Sequence, residues 1–357
     1  MRLRAPDFWR HGRGPWPRVL APMSRIYARK TAERLTRPGF TAPIPVICCG
    51  NVTAGGAGKT TVAMDVASRL IRRGIAAHLL CSGYGGTLKG PLRVDPAVHD
   101  SAAVGDEALL LARIAPTWIS RDRGASARLA VGAGAEALVL DDGLQSPTLV
   151  KSLSLLVIDG TYGFGNGRVI PAGPLREPAL VGAARCQAAV LIGPDEAGVL
   201  TSLPPTLPVL RAKLTPAEGA EAVAGRPVFA FAGIANPQKF FDTMTEAGAI
   251  LVGRETFADH YPFDEGDLEA LAKDAAALRA QLVCTPKDHV RLPPAWRDKV
   301  IVVGANLAWA DEAGLDALLA PLFPGRLVAP PPAAPPVAAP AVAPPEPTPA
   351  PPVPAEG

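Results

Sequence analysis

A glycine-rich segment between an apolar run and a helical pattern constrains the fold more than any other part of the sequence. It reads CCGNVTAGGAGKTTVAMDVASRLIRRG over residues 48–74. Gly55, Gly56 and Gly58 allow the backbone to come close to phosphate groups, with N–H groups pointing inward at the start of a helix. Lys59 would place a positive charge on the β- and γ-phosphates, and Thr60 would offer a hydroxyl ligand to Mg²⁺. The segment therefore predicts a nucleotide-binding loop between a strand and a helix.

One position of this loop departs from the usual pattern. G-x-x-x-x-G-K-[ST] begins with a glycine, but this sequence has Thr53 there, so the first turn of the loop must differ. A plain glycine-rich turn before a helix is the alternative, yet strand, loop and helix follow in the order that the motif requires. We expect the loop residues to bind the nucleotide: Thr53, Ala54, Gly55, Gly56, Ala57, Gly58, Lys59 and Thr60.

Short apolar runs alternate with helical patterns along most of the chain, which predicts an α/β fold with a P-loop NTPase-like parallel sheet. The alternation restarts near Gly225 and predicts a second, smaller α/β lobe. Residues 329–357 are mainly proline and alanine, a composition typical of a disordered, polyproline-like chain. The predicted organisation is a basic amphipathic segment at 1–40, a nucleotide-binding lobe at 41–215, a second lobe at 216–326 and a disordered tail at 327–357.

Cysteine usage indicates a reducing compartment. The five cysteines are scattered, with no C-x-x-C pair, which argues against a disulfide framework and for the cytoplasm. No apolar run reaches the roughly 18–20 residues of a membrane-spanning helix. Arg18 and Arg25 interrupt any apolar core of a secretory signal.

The N-terminal segment combines basic and aromatic residues. Residues 1–37 carry ten Lys or Arg against Asp7 and Glu33. From Trp16 onward, the apolar residues fall on one face of a predicted helix, with arginines off that face. Such a helix can lie in a membrane interface or pack on the domain with a solvated basic face. The remainder of the chain is net negative, and this concentration of basic charge slightly favours an anionic membrane.

Acidic residues at two element ends are candidates for chemistry. Asp141 and Asp142 end the run ALVLDD, where a second strand could bring carboxylates to Mg²⁺, although acidic residues after a strand are also common turn formers. Asp106 and Glu107 begin a helical pattern, where acidic residues already interact favourably with the helix dipole. A kinase acting on an alcohol needs a carboxylate to accept the hydroxyl proton, but nothing local selects Asp106 for that role.

Two other segments offer polar groups on loops. The loop GFGNGRVIPAGPLREP at residues 163–178 presents Arg176 and Glu177 on an irregular backbone, as loops that contact substrates or phosphates commonly do. A structural turn is the alternative. His260 lies in ADHYPF and is one of five histidines; a lone histidine is more often structural than functional.

Together these segments resemble the tetraacyldisaccharide 4'-kinases, the ATP-dependent kinases of lipid A biosynthesis. The matching pieces occur in order over nearly the whole chain: GNVTAGGAGKT, GYGG, VGDE, DDGLQ, GFGNGRVIPAGPLREP, AGIANPQKF, DHYPF and TPKD. The loop of this family also lacks the first glycine, so Thr53 is expected there. The resemblance implies transfer of the γ-phosphate of ATP to the 4'-hydroxyl of a tetraacyldisaccharide 1-phosphate, which gives lipid IVA.

The resemblance also implies roles for individual residues. Asp106 would be the catalytic base, with His260 as its partner across the cleft between the lobes. Lys59 would hold phosphate, and Arg176 would stabilise the charge of the transferring phosphoryl group. The implied Mg²⁺–phosphate site comprises Thr60, Asp141, Asp142, Gln145 and Glu177.

Two residues depart from the pattern of the family. Its commoner motif after the aspartates is D-D-G-F-Q-H, whereas this sequence has Leu144 and Ser146 in place of the aromatic residue and the histidine. Leu144 can fill an apolar pocket, so we expect no loss of chemistry there. Ser146 puts in doubt any role that a histidine would have at that position.

A substrate with four acyl chains implies a membrane location. Each CH₂ buried in the bilayer contributes about 0.8 kcal/mol, so the lipid cannot leave it easily. The resemblance therefore implies a peripheral enzyme on the cytoplasmic face of the bacterial inner membrane, bound through the basic aromatic helix and without a nucleic acid partner. Two alternatives remain: a P-loop switch or partitioning ATPase at the membrane, which needs no phosphoryl acceptor, and a soluble small-molecule kinase or ligase, which needs no lipid.

Overall fold

The computed structural model of this chain describes residues 6–326, and the predicted tail at 327–357 lies outside them. The strands are β1 (Val46–Gly50), β2 (Ala77–Cys81), β3 (Leu92–Arg93), β4 (Thr117–Ile119), β5 (Ala137–Asp141), β6 (Leu153–Asp159), β7 (Ala188–Ile192), β8 (Val209–Pro216), β9 (Pro227–Ala232), β10 (Ile250–Thr256), β11 (Gln281–Cys284), β12 (Ile301–Val302) and β13 (Ala305–Trp309). The helices are α1 (Phe8–His11), α2 (Trp16–Val19), α3 (Ala21–Leu35), α4 (Lys59–Arg72), α5 (Ser101–Val104), α6 (Asp106–Ala112), α7 (Arg123–Gly132), α8 (Ala179–Ala183), α9 (Ala220–Val223), α10 (Pro237–Glu246), α11 (Glu265–Ala277), α12 (Pro286–His289), α13 (Pro294–Arg297) and α14 (Glu312–Leu319). Short 3₁₀ turns occupy Val199–Ser202 and Ala320–Leu322.

The larger sheet is mainly parallel and has the strand order β13-β8-β7-β6-β1-β5-β2-β4-β3. Its two edge strands, β3 and β13, run antiparallel to their neighbours. β1 lies in the interior and pairs with β5 and β6, so its carboxyl end opens between two other strand ends. Ligands of open α/β sheets bind at this kind of edge. The predicted α/β fold with a parallel sheet is confirmed.

Apolar cores cover both faces of the larger sheet. Because successive residues of a strand point to opposite faces, Ile47 and Val139 join one core, while Cys48 and Leu140 join the other. α4 buries Leu70 completely in the first of these cores. This packing fixes the direction of α4, which begins directly after the glycine-rich loop.

The smaller sheet has the order β10-β9-β11-β12, and all its strands are parallel. Phe231 of β9 is completely buried and meets Phe263 edge to face, with ring centroids 5.3 Å apart. α11 contributes Leu268 to that core, and α10 contributes Phe240 to the core on the opposite face. The second lobe therefore buries both faces of its own sheet.

The predicted boundaries of the second lobe need one correction. After β12 the chain returns to the larger sheet, where β13 pairs with β8 from Ala305 opposite Pro216 to Trp309 opposite Ala212. Leu315 of α14 is completely buried in a core of that same sheet. The last part of the range predicted as the second lobe, from β13 onward, therefore belongs to the larger sheet.

The N-terminal segment differs from the single helix predicted from Trp16. It forms α2 and α3, which meet at Leu20. Pro22 lies in the first turn of α3, and since proline has no backbone N–H, it cannot continue the hydrogen-bond ladder of α2. The amphipathic pattern thus spans two short helices.

Most of the apolar face predicted for this segment is not packed against the protein. Five of its six side chains are exposed by 37–62% (Trp16, Val19, Met23, Ile26 and Tyr27), and Leu20 is half-buried. The buried face of α3 instead carries Ser24 and Thr31, and Ser24 Oγ donates a 2.7 Å hydrogen bond to the carbonyl of Val169. Among residues 6–326, no helix has the length and apolar content needed to cross a membrane.

Candidate active site

The glycine-rich loop joins the carboxyl end of β1 to the start of α4, as predicted for a phosphate-binding loop. Gly58 has a φ of 85°, a left-handed conformation that favours glycine. A Cβ atom there would lie 2.6 Å from Ile192 Cδ1. Gly55 also has a positive φ, of 130°. These positions need glycine so that the backbone N–H groups can face the space before α4, where a helix start favours an anion.

The first turn of this loop shows why Thr53 can replace glycine. Thr53 forms an antiparallel bridge with Leu175. Ala54 N donates to the carbonyl of Pro174 at 2.8 Å, and Arg176 N donates to the carbonyl of Val52 at 2.7 Å. Thr53 is not among the residues with positive φ. The segment 163–178 therefore pairs with the loop as a short strand would, and an extended residue fits where a tight turn would need glycine.

Asp141 stands at the carboxyl end of β5, beside the loop. Thr60 Oγ1 donates to Asp141 Oδ2 at 2.8 Å. The other oxygen, Oδ1, is buried and accepts no hydrogen bond within the described residues. Burial raises the pKa of Asp141 to about 7, and the negative charge of Glu107 adds to the shift. A buried carboxylate with one unsatisfied oxygen beside a threonine hydroxyl suits a divalent cation.

Asp142 is held by the two cations predicted for this site. Arg176 Nη1 donates to both of its carboxylate oxygens, at 2.7 and 2.9 Å, and Lys59 Nζ lies 3.7 Å from Oδ2. Burial opposes the ionisation of Asp142, but these positive charges outweigh it and hold its pKa below the ordinary value. Its φ of 55° is left-handed. The structure thus brings together Lys59, Asp142 and Arg176 from three separate motifs.

Glu177 and Gln145 belong to a hydrogen-bond network beside the loop. Both oxygens of Glu177 accept 2.7 Å hydrogen bonds from Arg185. Gln145 Nε2 donates at 2.8 Å to Glu177 Oε1 and to the carbonyl of Asn51. Arg185 neutralises Glu177 inside the protein, and Gln145 Oε1 lies 3.4 Å from Arg176 Nη1 of the phosphate site. A metal role for Gln145 and Glu177 stays a prediction.

The two departures from the family pattern also have defined places. Leu144 is buried in a core, and a Cβ on Gly50 would lie 2.6 Å from Leu144 Cβ. This agrees with the expectation that Leu144 fills an apolar pocket. Ser146 Oγ lies 3.3 Å from the hydroxyl of Thr148, and the carbonyl of Ser146 accepts a hydrogen bond from Lys151.

Asp106 and His260 meet across the two lobes. Asp106 begins α6 in the first lobe and is 3% exposed, and His260 Nδ1 lies 2.8 Å from its Oδ2 atom. Asp106 Oδ1 accepts the backbone N–H of Glu107 at 2.9 Å. Burial works against ionisation, but the hydrogen bond from His260 and the nearby positive charges outweigh it, so the pKa of Asp106 lies below its ordinary value. Asp106 is therefore an ionised carboxylate at neutral pH.

Packing between two sequence motifs fixes the start of α6. Gly105 has a φ of 88°, and a Cβ there would lie 2.4 Å from the carbonyl oxygen of Tyr84. A Cβ on Gly86 would lie 2.6 Å from the carbonyl oxygen of Ala103. GYGG and VGDE thus pack backbone to backbone, which holds Asp106 in place.

Sequence reasoning missed a second set of charged residues around this pair. Arg291 Nε lies 3.2 Å from Asp106 Oδ2, and Arg291 is 5% exposed. Lys287 Nζ lies 3.4 Å from Glu107 Oε1. The only local signal was the polar turn TPKD, whose lysine precedes Arg291 by four residues and so shares its side of a helical turn.

The second lobe also touches the glycine-rich loop. A Cβ on Gly56 would lie 3.3 Å from Ala235 Cβ. Lys239 of α10 forms a 2.8 Å ion pair with Asp159 at the carboxyl end of β6. Both lobes therefore contribute to the edge of the larger sheet where the loop lies.

The fold and the site define a class of protein. A glycine-rich loop at the carboxyl edge of a parallel sheet, with a lysine, a threonine and two aspartates beside it, is the arrangement of P-loop phosphotransferases. The ionised carboxylate of Asp106, in contact with an imidazole, is the type of group that can accept the proton of a hydroxyl.

Comparisons with known proteins identify the family. The model of the family "Tetraacyldisaccharide-1-P 4'-kinase" matches residues 16–323. The tetraacyldisaccharide 4'-kinase of Gluconacetobacter diazotrophicus is 55% identical over 89% of this chain and 97% of its own length, and that of Rhodospirillum rubrum is 50% identical over 91% and 99%. The chain belongs to the tetraacyldisaccharide-1-P 4'-kinase family.

A solved structure shows the same fold. The crystal structure of the "apo" form of LpxK from Aquifex aeolicus in complex with ATP matches with a TM-score of 0.69 and 24% identity. The match covers 86% of this chain and 99% of that chain. Both lobes of the architecture described above are therefore those of a known enzyme fold.

Proposed function

We propose that this chain transfers the γ-phosphate of ATP to the 4'-hydroxyl of tetraacyldisaccharide 1-phosphate and so makes lipid IVA in lipid A biosynthesis. The observation that carries the proposal is the 2.8 Å contact between Asp106 and His260. It fixes a base at the start of α6, whose next residue, Glu107, acts electrostatically on Asp141 of the phosphate site. The membership of the family supplies the acceptor.

The glycine-rich loop binds the triphosphate in this proposal. Residues 55–58 offer backbone N–H groups, and Lys59 offers a positive charge 3.7 Å from Asp142 Oδ2. Arg176 lies on the same carboxylate and provides a second positive charge for the transferring phosphoryl group. Lys59 and Arg176 carry two positive charges against the one negative charge of Asp142, so positive charge remains available to an anionic nucleotide.

Thr60 and Asp141 are the residues that would hold Mg²⁺. The fit rests on the buried Oδ1 atom of Asp141, which accepts no hydrogen bond within the described residues. Mg²⁺ is commonly held by one or two protein groups together with phosphate oxygens, so the nucleotide would complete the coordination. When bound, Mg²⁺ supplies charge neutralisation to the β- and γ-phosphates.

Asp106 is the general base. Its Oδ2 atom is engaged by His260 and Arg291, whereas Oδ1 accepts the N–H of Glu107 and has a further lone pair. The acceptor hydroxyl oxygen bonds to the γ-phosphorus while the bond from that phosphorus to the bridging oxygen of ADP breaks. The hydroxyl proton passes to Asp106 Oδ1. His260 fixes the carboxylate through Oδ2 during this step.

The N-terminal helices bring the enzyme to the cytoplasmic face of the inner membrane. Trp16, Val19, Met23 and Ile26 are each more than half exposed, and Arg25 lies among them in α3. Exposed apolar side chains interleaved with arginines match an anionic membrane interface. α3 also contacts the segment 163–178 through Ser24 and Val169, so this surface is attached to the segment that pairs with the phosphate loop.

Phosphate transfer from ATP labelled in its γ-phosphate tests the reaction. Wild-type protein in mixed detergent micelles should label the lipid only when tetraacyldisaccharide 1-phosphate is present. Asp106→Asn should lose ~10²-fold or more in rate, whereas Asp274→Asn, on the exposed side of α11, should not change it. ATP consumption that does not depend on the lipid would refute the proposal and favour a nucleotide switch.

Sedimentation with anionic phospholipid vesicles tests the membrane surface. Replacing Trp16, Met23 and Ile26 by serine should reduce binding at least tenfold, because each fully buried side chain contributes roughly 1.5–3 kcal/mol. Val98→Ser is the matched control, since Val98 is 76% exposed in the loop before α5. Equal binding of the triple variant and the wild type would refute this surface.

A further inference from the structure

Lys287 is a charged residue of the TPKD motif that the proposed mechanism leaves without a role. Its ammonium lies 3.4 Å from Glu107 Oε1, 3.4 Å from Asp259 Oδ1 and 3.5 Å from His260 Nε2. Glu107 belongs to the first lobe, and the other two belong to the second. Lys287 therefore stands behind the imidazole, on the side opposite Asp106, and bridges the two lobes there.

The segment that carries Lys287 is fixed to the backbone next to His260. Thr285 caps α12 by accepting the N–H of Asp288 at 3.0 Å. Asp288 is completely buried and accepts the N–H of Gly233 at 2.8 Å. The carbonyl of Gly233 accepts the N–H of His260 at 3.2 Å. Gly233 thus joins α12 and the histidine, so the position of the ammonium relative to the ring is set by backbone contacts.

The hydrogen-bond partners of the ring determine which of its two nitrogens is protonated. Asp106 is an ionised carboxylate and can only accept, so His260 must donate from Nδ1. In the neutral ring, Nε2 is then an acceptor. Asp259 Oδ2 lies 3.6 Å from Nε2 but is itself only an acceptor. Lys287, 3.5 Å from Nε2, can donate a hydrogen bond to it.

Lys287 remains charged in this place. Burial disfavours its charged form, but the carboxylates of Glu107, Asp106 and Asp259 outweigh burial and raise the pKa of Lys287 above its ordinary value. The charged and titratable groups that surround the ring are Asp106 and Glu107 on α6, Asp259 beside it, Lys287 and Arg291 from the α12 segment, and Tyr84, whose ring centroid lies 5.6 Å away.

We propose that Lys287 is a positioning residue that holds His260 as the neutral, Nδ1-protonated ring facing Asp106. The inference rests on the proposed function, because it deepens the role of the base. Without Lys287, two carboxylates, Asp259 and Glu107, would face the ring with no cation between them. The ring would then take a second proton on Nε2 and donate it to Asp259, which weakens its alignment with Asp106.

Kinetics of the full chain test the proposal. Lys287→Met should lower kcat about 10- to 100-fold and leave the KM for ATP within about twofold, since the phosphate loop is separate from this cluster. The acid limb of its pH–rate profile should move up by about one pH unit, the size expected when a unit charge is removed from a partly buried site. Lys287→Arg keeps the charge and should recover most of the rate.

A spectroscopic readout separates this inference from the proposed function. Nitrogen chemical shifts of a histidine-labelled sample, assigned with His260→Gln, distinguish the Nδ1-protonated ring from the doubly protonated ring without any turnover. Wild type should show the neutral Nδ1-protonated ring at pH 7, and Lys287→Met the doubly protonated one. Adding Asp259→Asn to Lys287→Met should restore the neutral ring, because it removes the competing acceptor.

The outcomes are distinct. Unchanged nitrogen shifts in Lys287→Met, or an unchanged kcat, would overturn the positioning role even if lipid phosphorylation is confirmed. Absence of lipid phosphorylation by the wild type would overturn the proposed function, while the nitrogen shifts would still test the geometry. Lys273→Met, on the exposed face of α11, controls for loss of a lysine, and a thermal melt of each variant identifies loss of folding. If Lys287→Met does not fold, the nitrogen shifts of Lys287→Arg and Asp259→Asn are measured instead. Both variants should keep the neutral ring, and a doubly protonated ring in either would overturn the positioning role.

Discussion

The contact between His260 and Asp106 predicts that the effects on kcat of replacing these two residues are not additive. His260 Nδ1 donates to Asp106 Oδ2 at 2.8 Å, and Asp106 is 3% exposed. A hydrogen bond to a charged group contributes roughly 1.5–3 kcal/mol, which corresponds to about 10- to 150-fold in rate if it is needed in the transition state. We therefore expect His260→Ala to lower kcat by that factor. Asp106→Asn, which removes the base, should lower kcat by ~10²–10⁴-fold.

The double variant should be no slower than Asp106→Asn alone. In the proposed mechanism His260 acts through the carboxylate of Asp106, so its contribution should disappear once that carboxylate is removed. Independent roles would instead add about 10- to 150-fold to the loss. The measurement is kcat in mixed micelles at saturating ATP and lipid, with ATP affinity measured separately by fluorescence. That affinity should stay within about twofold, because Lys59 and Thr60 are unchanged.

Two control variants separate the loss of this contact from other effects of substitution. His260 has a φ of 59°, so alanine there also costs backbone strain, whereas His260→Gly tolerates that conformation and should show the same loss in kcat. Asp274→Asn on α11 should behave as wild type. Additive losses in the double variant would mean that His260 touches substrate directly, and the reasoning from a carboxylate–imidazole pair would then be refuted.

Three further predictions concern stability and reactivity. Gly182→Ala should lower the free energy of unfolding by roughly 1–3 kcal/mol, because the new Cβ would lie 2.2 Å from Val52 Cγ1. Gly132→Ala is the control, since a Cβ there would have no atom within 4 Å, and it should be neutral or stabilising. Denaturant titration measures both, and a larger loss of stability in Gly132→Ala than in Gly182→Ala would contradict the packing. The native thiols, all five of them buried, should resist labelling at pH 8, because burial raises their pKa, to about 11 for Cys48; rapid labelling before unfolding would be inconsistent with this burial. The pKa of Asp106 is lower in the folded state than in the unfolded state, so its ionisation stabilises the fold above about pH 4 and this contribution is lost as the pH falls. The difference in free energy of unfolding between wild type and Asp106→Asn should therefore shrink from pH 6 to pH 3. A constant difference would contradict the lowered pKa.

The parts of the fold that the sequence predicted are those encoded locally. The glycine-rich loop, the run that forms β1 and the helix that follows are contiguous, so one short window contains the whole pattern. Val62, Val66 and Leu70 of α4 recur at helical spacing and are all completely buried. Asp141 and Asp142 also sit at the end of their own apolar run, so their place at the sheet edge follows from strand direction alone.

Contacts between distant segments were not predictable in this way. β8 and β13 pair although the second lobe separates them in the sequence, and no sequence feature near either strand identifies its partner. β8 did carry a signal, since Leu210 and Ala212 are buried while Arg211 and Lys213 are exposed, which is the alternation of a strand with one apolar face. The contact of Glu177 with Arg185 was not predictable for a related reason, because Arg185 lies in no recognisable motif.

The distribution of the site over two lobes has a consequence for catalysis. The phosphate loop and Asp141 belong to one lobe, whereas Asp106 obtains its imidazole from the other. Separating the lobes would break the contacts of His260 with Asp106, of Lys287 with Glu107 and of Lys239 with Asp159 together. Docking of the lobes therefore aligns the proposed base with its imidazole, and we expect transfer to a hydroxyl to require this docked arrangement.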